Sequence, residues 1–298
     1  MANPNLPQPK KLYQTDQFQR RWEDLNVDCL ANVFGRVGMT ALLLSVPFVC
    51  KSWYRASLDS ACWQRIIFPD VDIKIDLGNQ GFWSSDNEIE SVVVRRTELV
   101  NLMHRFEREY QIDHNCFSET QFIKFVVHRS RGQATFLRLP PFCENAALKH
   151  VADVCPGLKG LSLHRCLLMF SFRIILELIG KCKQLELLSL RGGSHNLKET
   201  LLQISIHCKN FCRLHVSNAV ISREDAFEIV NLVPNIKYLS LRKSYIHRDN
   251  LITLLRCFKE LVLLDARHCS GFDEGDVVIL ELASHIDKFS CEGSRNGD

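Results

Sequence analysis

Leu158-Lys159-Gly160-Leu161-Ser162-Leu163 carries an apolar beat, L-x-x-L-x-L, that the chain repeats four more times. It returns as Leu185-x-x-Leu188-x-Leu190, Phe211-x-x-Leu214-x-Val216, Ile236-x-x-Leu239-x-Leu241 and Leu261-x-x-Leu264-x-Ala266. The central residue steps from 161 to 188, 214, 239 and 264, intervals of 27, 26, 25 and 25 residues. Alternating apolar residues over so short a stretch predict a half-buried strand. A fixed period of this length predicts a solenoid whose repeats are each one strand and one helix. A solenoid offers a partner one continuous face, which bounds the function before any chemistry is considered.

The segments between the beats have helical spacing. Ala147, Leu148 and Val151 fit one face, as do Phe172, Ile175, Leu176 and Ile179. Leu197, Leu201 and Ile204, then Ala226, Ile229 and Val230, then Leu251, Leu254 and Leu255 continue the series. Ser222 with Asp225 reads as a capping box with Asp in the Glu position, and Ser118 with Gln121 opens an earlier helix through Phe122, Phe125 and Val126. Phe136–Leu139 then reads as a strand, with Leu137 lying 24 residues before Leu161. The expectation is an α/β solenoid of about six parallel strands over residues 118–291. A helical cap near Val277–Leu282 and a frayed polar tail at 292–298 close it.

Composition removes several function classes. The chain has 298 residues, 37 basic and 34 acidic, for a net charge of +3, so bulk electrostatics singles out no nucleic acid. No apolar run approaches the roughly 20 residues that span a bilayer. Met1–Gln14 lacks an apolar signal core, and residues 1–21 read as a flexible arm. A cytoplasmic or nuclear protein without membrane contact is expected. There its 13 cysteines are thiols. Cys155, Cys182, Cys208 and Cys257 precede a strand anchor and Cys166 and Cys269 follow one, as small buried hydrophobes do. His207, Cys208, Cys212 and His215 have enough ligands for zinc. However, Cys208 is a repeat position, and Cys212 and His215 fall on opposite faces of a strand. No metal or cofactor is expected. The chain also lacks a Gly-rich phosphate loop, an H-E-x-x-H and a G-x-S-x-G. A non-catalytic role follows.

Residues 22–68 obey a different logic. Trp22-Glu23-Asp24-Leu25 leads into a short helix with Val27, Leu30, Val33 and Phe34, broken at Gly35 and Gly38. Ala41–Val46 is a second apolar piece stopped by Pro47, and a third carries Val49-Cys50-Lys51-Ser52-Trp53 before Cys62-Trp63. A three-helix unit this small stabilises itself poorly and has much apolar surface, so a docking partner is expected. Residues 69–117 join it to the repeats through a polar loop, Gly78–Glu90, and a helix, Thr97–Tyr110, striped by Leu99, Leu102, Met103 and Phe106.

The N-terminal unit resembles an F-box. The matching elements are W-E-D-L at Trp22–Leu25, D-C-L-A-N-V-F at Asp28–Phe34, V-C-K-S-W at Val49–Trp53 and C-W at Cys62–Trp63. Asn26 stands where that family most often has proline, which removes a rigid start for the first helix. An F-box followed by cysteine-bearing leucine-rich repeats is similar to the plant F-box/LRR-repeat family, over nearly the whole chain. The resemblance implies a substrate receptor of an SCF (Skp1-cullin-F-box) ubiquitin ligase, docked on a Skp1-type adaptor and through it on a cullin and a RING protein. By motif position it implies adaptor contacts at Leu25, Asp28, Leu30, Val33, Phe34, Val49 and Trp53. Val49 and Trp53 fit the core of the module equally well.

In such repeats the alternate strand residues face outward. That set is Gly160, Ser162 and His164; Leu187, Ser189 and Arg191; Arg213, His215 and Ser217; Tyr238, Ser240 and Arg242; Leu263, Asp265 and Arg267. The candidate substrate contacts are His164, Arg191, His215, Tyr238, Arg242, Asp265 and Arg267. Strands are about 4.8 Å apart, so six make a sheet about 24 Å wide. Like charges about 5 Å apart in water repel by roughly 0.8 kcal/mol. An acidic or phosphorylated protein partner relieves that repulsion. Solvated arginines that splay apart relieve it too. The rival functional classes are a non-degradative F-box adaptor and a plain repeat scaffold whose first 68 residues are only a cap.

Overall fold

The computed structural model describes residues 22–69, 72–73, 94–95, 97–113 and 117–297. The expected arm at 1–21 and the polar loop Gly78–Glu90 lie outside the described residues.

Helices α1 (Val27–Phe34), α2 (Met39–Leu44) and α3 (Lys51–Ser57) make the N-terminal unit. Asn26 caps α1, its side-chain oxygen accepting the Asp28 N–H at 2.8 Å. A side-chain cap thus replaces the rigid start that proline gives. Leu30, Ala31 and Phe34 turn one face of α1 inward, toward α3 and the Ser60–Trp63 turn, where Cys62 Sγ donates to the Ala31 carbonyl at 3.5 Å. The Trp63 indole N–H donates to the Ser57 carbonyl at 2.8 Å, which satisfies the one polar group of a buried ring.

From Trp63 the chain runs directly into strand β1 (Arg65–Ile67). A short antiparallel pair, β2 (Asp72–Ile73) with β3 (Val94–Arg95), precedes α4 (Thr97–Glu109). Leu99, Leu102, Met103 and Phe106 of α4 are buried, as their stripe predicts. The Tyr110 hydroxyl donates to the Leu43 carbonyl at 3.0 Å and ties this helix to the N-terminal unit.

The repeats follow as α5 (Glu119–His128), β4 (Phe136–Arg138), α6 (Asn145–Val154), β5 (Gly160–His164), α7 (Arg165–Phe170), α8 (Phe172–Lys181), β6 (Leu187–Arg191), α9 (Leu197–His207) and β7 (Arg213–Ser217). Then come β8 (Val220–Ile221), α10 (Arg223–Leu232), β9 (Tyr238–Ser240), β10 (Tyr245–Ile246), α11 (Arg248–Cys257), β11 (Leu263–Asp265), α12 (Val277–Leu282) and β12 (Lys288–Ser290). Both capping boxes, at Ser118 and Ser222, are formed. Helix α7 is an addition that the periodicity did not indicate. In α8 the buried face is Ile175, Leu178 and Ile179, with Leu176 half-exposed.

The main sheet has eight parallel strands in the order β1-β4-β5-β6-β7-β9-β11-β12, rather than the six expected. Its central register aligns Ile66, Leu137, Leu161, Leu188, Leu214, Leu239, Leu264 and Phe289. Seven gaps make it about 34 Å wide. Strand β12 obeys the same beat with other residues, Ile286-x-x-Phe289-x-Cys291, 25 positions after Leu264. Val277–Leu282 is therefore the helix before a further strand, not the end of the fold. The tail is also ordered through its first residues. Ser294 is fully buried, its hydroxyl accepting from Cys269 N–H at 3.0 Å and donating to the Ala266 carbonyl at 2.7 Å.

That hydroxyl belongs to a series at the inner turn of successive repeats. Ser244 Oγ accepts from Ala219 N–H at 3.2 Å and faces the Val216 carbonyl at 3.4 Å, and Cys269 Sγ donates to the Leu241 carbonyl at 3.0 Å. Each spacing is 25 residues, and the preceding corner residues Asn218, Lys243 and His268 have φ between 52° and 59°. Ser294→Ala removes both partners of a buried N–H and a buried carbonyl. It is expected to destabilise the fold by about 1–3 kcal/mol, read as a lower urea midpoint at unchanged slope.

The cysteines stack likewise. Cys208 Sγ donates to the Cys182 carbonyl at 3.5 Å, and Cys182 Sγ to that of Cys155 at 3.8 Å. Burial pushes the Cys182 thiol up to about 12, and Cys155 and Cys208 to about 11. They are protonated packing groups, not nucleophiles.

Candidate protein-interaction surfaces

The first surface is on the N-terminal unit. Leu25, Asp28, Val33 and Val49 are exposed, Val49 to 58 %. Leu30 and Phe34, at 0 and 2 %, are core residues that present no surface to a partner in this structure. Helix α1 is apolar on two faces, and only one of them points outward. Trp53 is half-buried, its ring edge-on to Phe34 with centroids 5.0 Å apart, and its indole N–H is enclosed without a hydrogen bond. Around these lie exposed residues outside the expected adaptor contacts: Trp22, Val27, Val37 and Phe48. Their signal was present, since Trp22 opens the W-E-D-L motif, Val27 lies between two motif elements and Phe48 precedes Val49. Phe48 rests edge-on against Tyr110 at 5.5 Å, so the residue that follows α4 supports one side of the patch. Exposed apolar residues gathered on so small a unit mark an interaction site.

The second surface is the outward face of the sheet. One register row is Arg65, Phe136, Gly160, Leu187, Arg213, Tyr238, Leu263 and Lys288. The next is Ile67, Arg138, Ser162, Ser189, His215, Ser240, Asp265 and Ser290. Gly160 and Ser162, expected to face out freely, are buried. The Phe136 ring lies over Gly160 so closely that a Cβ there would meet it at 2.6 Å. Arginines cap aromatic rings in the first row, Arg65 over Phe136 and Arg213 over Tyr238, each 4.4 Å from the centroid.

The seven candidate substrate contacts fall into two groups. His164 and Arg191 are register neighbours on β5 and β6. His164 also caps α7, its Nδ1 accepting from Cys166 N–H at 3.3 Å. His215, Tyr238 and Asp265 are gathered on β7, β9 and β11, with Arg242 and Arg267 just beyond the last two. Arg267 is not an open cation. Its Nε and Nη2 each donate to an Asp265 carboxylate oxygen at 2.8 Å, and its backbone N–H donates to Oδ1 at 3.2 Å. Arg242 is exposed. Burial, with the charge of Arg213 beside it, holds the His215 imidazole below its ordinary range, against the pull of Asp265.

The hydrogen bonds from Arg267, helped by the charge of Arg242, hold the Asp265 carboxyl below the usual carboxylate range. A carboxyl with a depressed folded pKa adds stability above its unfolded pKa, and loses it as pH falls through the folded value. Asp265→Asn is therefore expected to be less stable than wild type at pH 7, with the gap closing on acidification below the unfolded carboxylate value of about 3.9. Urea unfolding at pH 7 and pH 3 checks this, and a gap independent of pH would refute it.

No group of three or more His, Cys, Asp or Glu side chains suited to a metal occurs among the described residues, and no helix among them is long and apolar enough to cross a membrane. No protein-family model matches the chain. The F-box protein FBW2 of Arabidopsis thaliana is 24 % identical over 257 residues, covering 84 % of this chain and 68 % of that protein. An F-box/LRR-repeat protein of the same plant is 26 % identical over 291 residues, covering 91 % and 83 %. These alignments run through most of the chain, and the fold joins a three-helix unit carrying the F-box motifs to a parallel sheet of strands alternating with helices. Over most of its length the chain is thus similar to plant F-box/LRR-repeat proteins, in sequence and in the order of its two parts.

Proposed function

We propose that this protein is a non-catalytic substrate receptor of an SCF ubiquitin ligase, acting in the cytoplasm or nucleus. Residues 22–68 dock on a Skp1-type adaptor, which connects them to a cullin and a RING protein, and the sheet face holds the protein substrate. The observation that carries the reading is the apolar patch of Leu25, Val27, Val33, Phe48 and Val49, left exposed on a unit whose chain continues directly into the first strand of the repeat sheet. That continuity supports a fixed distance between adaptor and substrate. The receptor then contributes proximity and orientation to ubiquitin transfer. Exposed Arg242, with Arg191 on the same outward column, favours an acidic or phosphorylated substrate segment, and Tyr238, Leu187 and Leu263 give it apolar contact.

Reconstitution with adaptor, cullin and RING protein tests the reading. Co-elution of all four, dependent on the adaptor, is expected. Adaptor binding with the cullin excluded would favour the non-degradative alternative. Proteins that bind the wild type and accumulate when cullin activity is blocked are expected to lose binding to Arg191→Glu/Arg242→Glu while the adaptor stays bound. Equal substrate capture by that variant would reject the basic column.

A further inference from the structure

One repeat departs from the pattern of the others. Between β5 and its repeat helix α8 the chain inserts α7, whereas β6, β7, β9 and β11 lead to one helix each. In a solenoid, insertions into single repeats gather on one face, often the binding face. Helix α7 leaves two large apolar side chains in solvent, Met169 and Phe170, exposed to 50 and 63 %. It also walls a cavity of about 430 Å³ against the first residues of α5 and α6. Buried Pro141, Cys166 and Leu167 line it. So do the rings of Phe142 and Phe170, their centroids 6.3 Å apart.

The charge at this cavity has one sign. Glu119, the first residue of α5, and Glu144, the N-cap residue of α6, belong to its lining, and no Lys, Arg or His does. The start of a helix is a favourable place for a carboxylate, so the fold tolerates both there. The Thr120 hydroxyl donates to Glu144 Oε2 at 2.6 Å and orients that exposed carboxylate. Cys143, also in the lining, feels both charges: burial, then Glu119 and Glu144, pushes its thiol up to about 12. The cavity is therefore apolar within and negative at its edge. The sheet face nearby has the opposite sign, in Arg191 and Arg242. His164 stands in that outward column and also caps α7, so cavity and column adjoin.

We propose that the groove beside α7 binds a protein segment in which a Lys or Arg lies next to a bulky apolar residue. The apolar side chain enters the cavity against the two rings, and the cation meets the Glu144 carboxylate at its edge. Met169 lies beside the cavity and outside its lining, so an occupant that covers it is longer than the cavity itself. That favours a stretch of polypeptide over a compact ligand. An acidic segment, suited to Arg191 and Arg242, meets like charge here and is turned away. The inference rests on the receptor reading only in taking the occupant for a substrate. The preference of the groove does not depend on the adaptor.

Selection of phage-displayed random dodecapeptides on the full chain, with depletion on the variant Glu144→Gln/Phe170→Ser, tests the proposal. Both side chains are exposed and Gln keeps an acceptor for Thr120, so the variant is expected to melt within about 2 °C of wild type. Peptides that survive depletion are expected to carry Lys or Arg within two positions of Phe, Leu, Ile or Met. A synthetic copy of the most enriched peptide is expected to bind Phe170→Ser at least tenfold more weakly than wild type. It is expected to lose affinity in about 500 mM salt, as contact with a rim carboxylate requires. Glu144→Lys is expected to reverse the preference, binding the same peptide more tightly once its cation is replaced by Glu. No peptide surviving depletion, survivors rich in Asp and Glu, or equal affinity for wild type and Phe170→Ser would each overturn the proposal. These readouts use neither adaptor nor cullin, so failure of the groove and failure of the receptor assignment are seen separately.

Discussion

Val49→Asp is expected to weaken binding to a Skp1-type adaptor at least a hundredfold, about 2.7 kcal/mol, while leaving the melting temperature within about 2 °C of wild type. Val49 sits between the Pro47 turn and α3 with most of its side chain in solvent, so the free protein tolerates a carboxylate there. In a complex the same carboxylate is desolvated against apolar groups without a counter-charge, which is among the more costly changes an interface can suffer. Leu30→Asp makes a useful contrast. Leu30 is fully buried on the inner face of α1, and an ionised side chain there has no partner. That variant is expected to lose the adaptor by losing the module, with a melting transition several degrees lower. Retained binding by folded Val49→Asp would remove the patch from the adaptor interface.

Gly271→Ala is expected to destabilise the solenoid by about 3 kcal/mol. Gly271 has φ near 99°, and a Cβ there would stand 2.5 Å from the Ile246 carbonyl oxygen and 2.9 Å from its carbon. Both obstacles are backbone, so no rotamer change relieves them. The site is also tied on both sides, its N–H donating to the Arg295 carbonyl and its carbonyl accepting from Arg248 N–H at 2.9 Å. Conformational strain and a forced shift between two repeats therefore add. Gly38 is the control, with φ near 86° but nothing within 4 Å of the added carbon. Gly38→Ala is expected to cost about 1 kcal/mol. Equal urea midpoints for the two variants would contradict this account.

The strand positions were legible because the sheet register allows little else. A one-residue slip would turn every interior leucine outward, so the beat must be kept. Where it was missed, the residues had changed but the pattern had not. Ile286, Phe289 and Cys291 fill the same interior positions as Leu261, Leu264 and Ala266, and Cys291 scarcely looks like a strand residue in isolation. Strand β1 escaped because it is three residues long and directly follows the Trp63 turn. On the first surface the motif could not separate contact from core. Val33 and Phe34 are adjacent and both apolar, and packing alone decides that one faces solvent and the other Trp53. On the sheet face, alternation did place Asp265 and Arg267 on one side, but their bidentate pairing required coordinates.

The measurement that bears most directly on the central claim is calorimetric titration of a Skp1-type adaptor into the wild-type full chain. A single saturable 1:1 event with a dissociation constant of about 1 μM or below, about −8 kcal/mol, is the predicted result. A folded chain with its thermal transition intact that gives no binding heat at any temperature tested would contradict the receptor assignment, and would leave residues 22–68 as an N-terminal cap on a repeat scaffold.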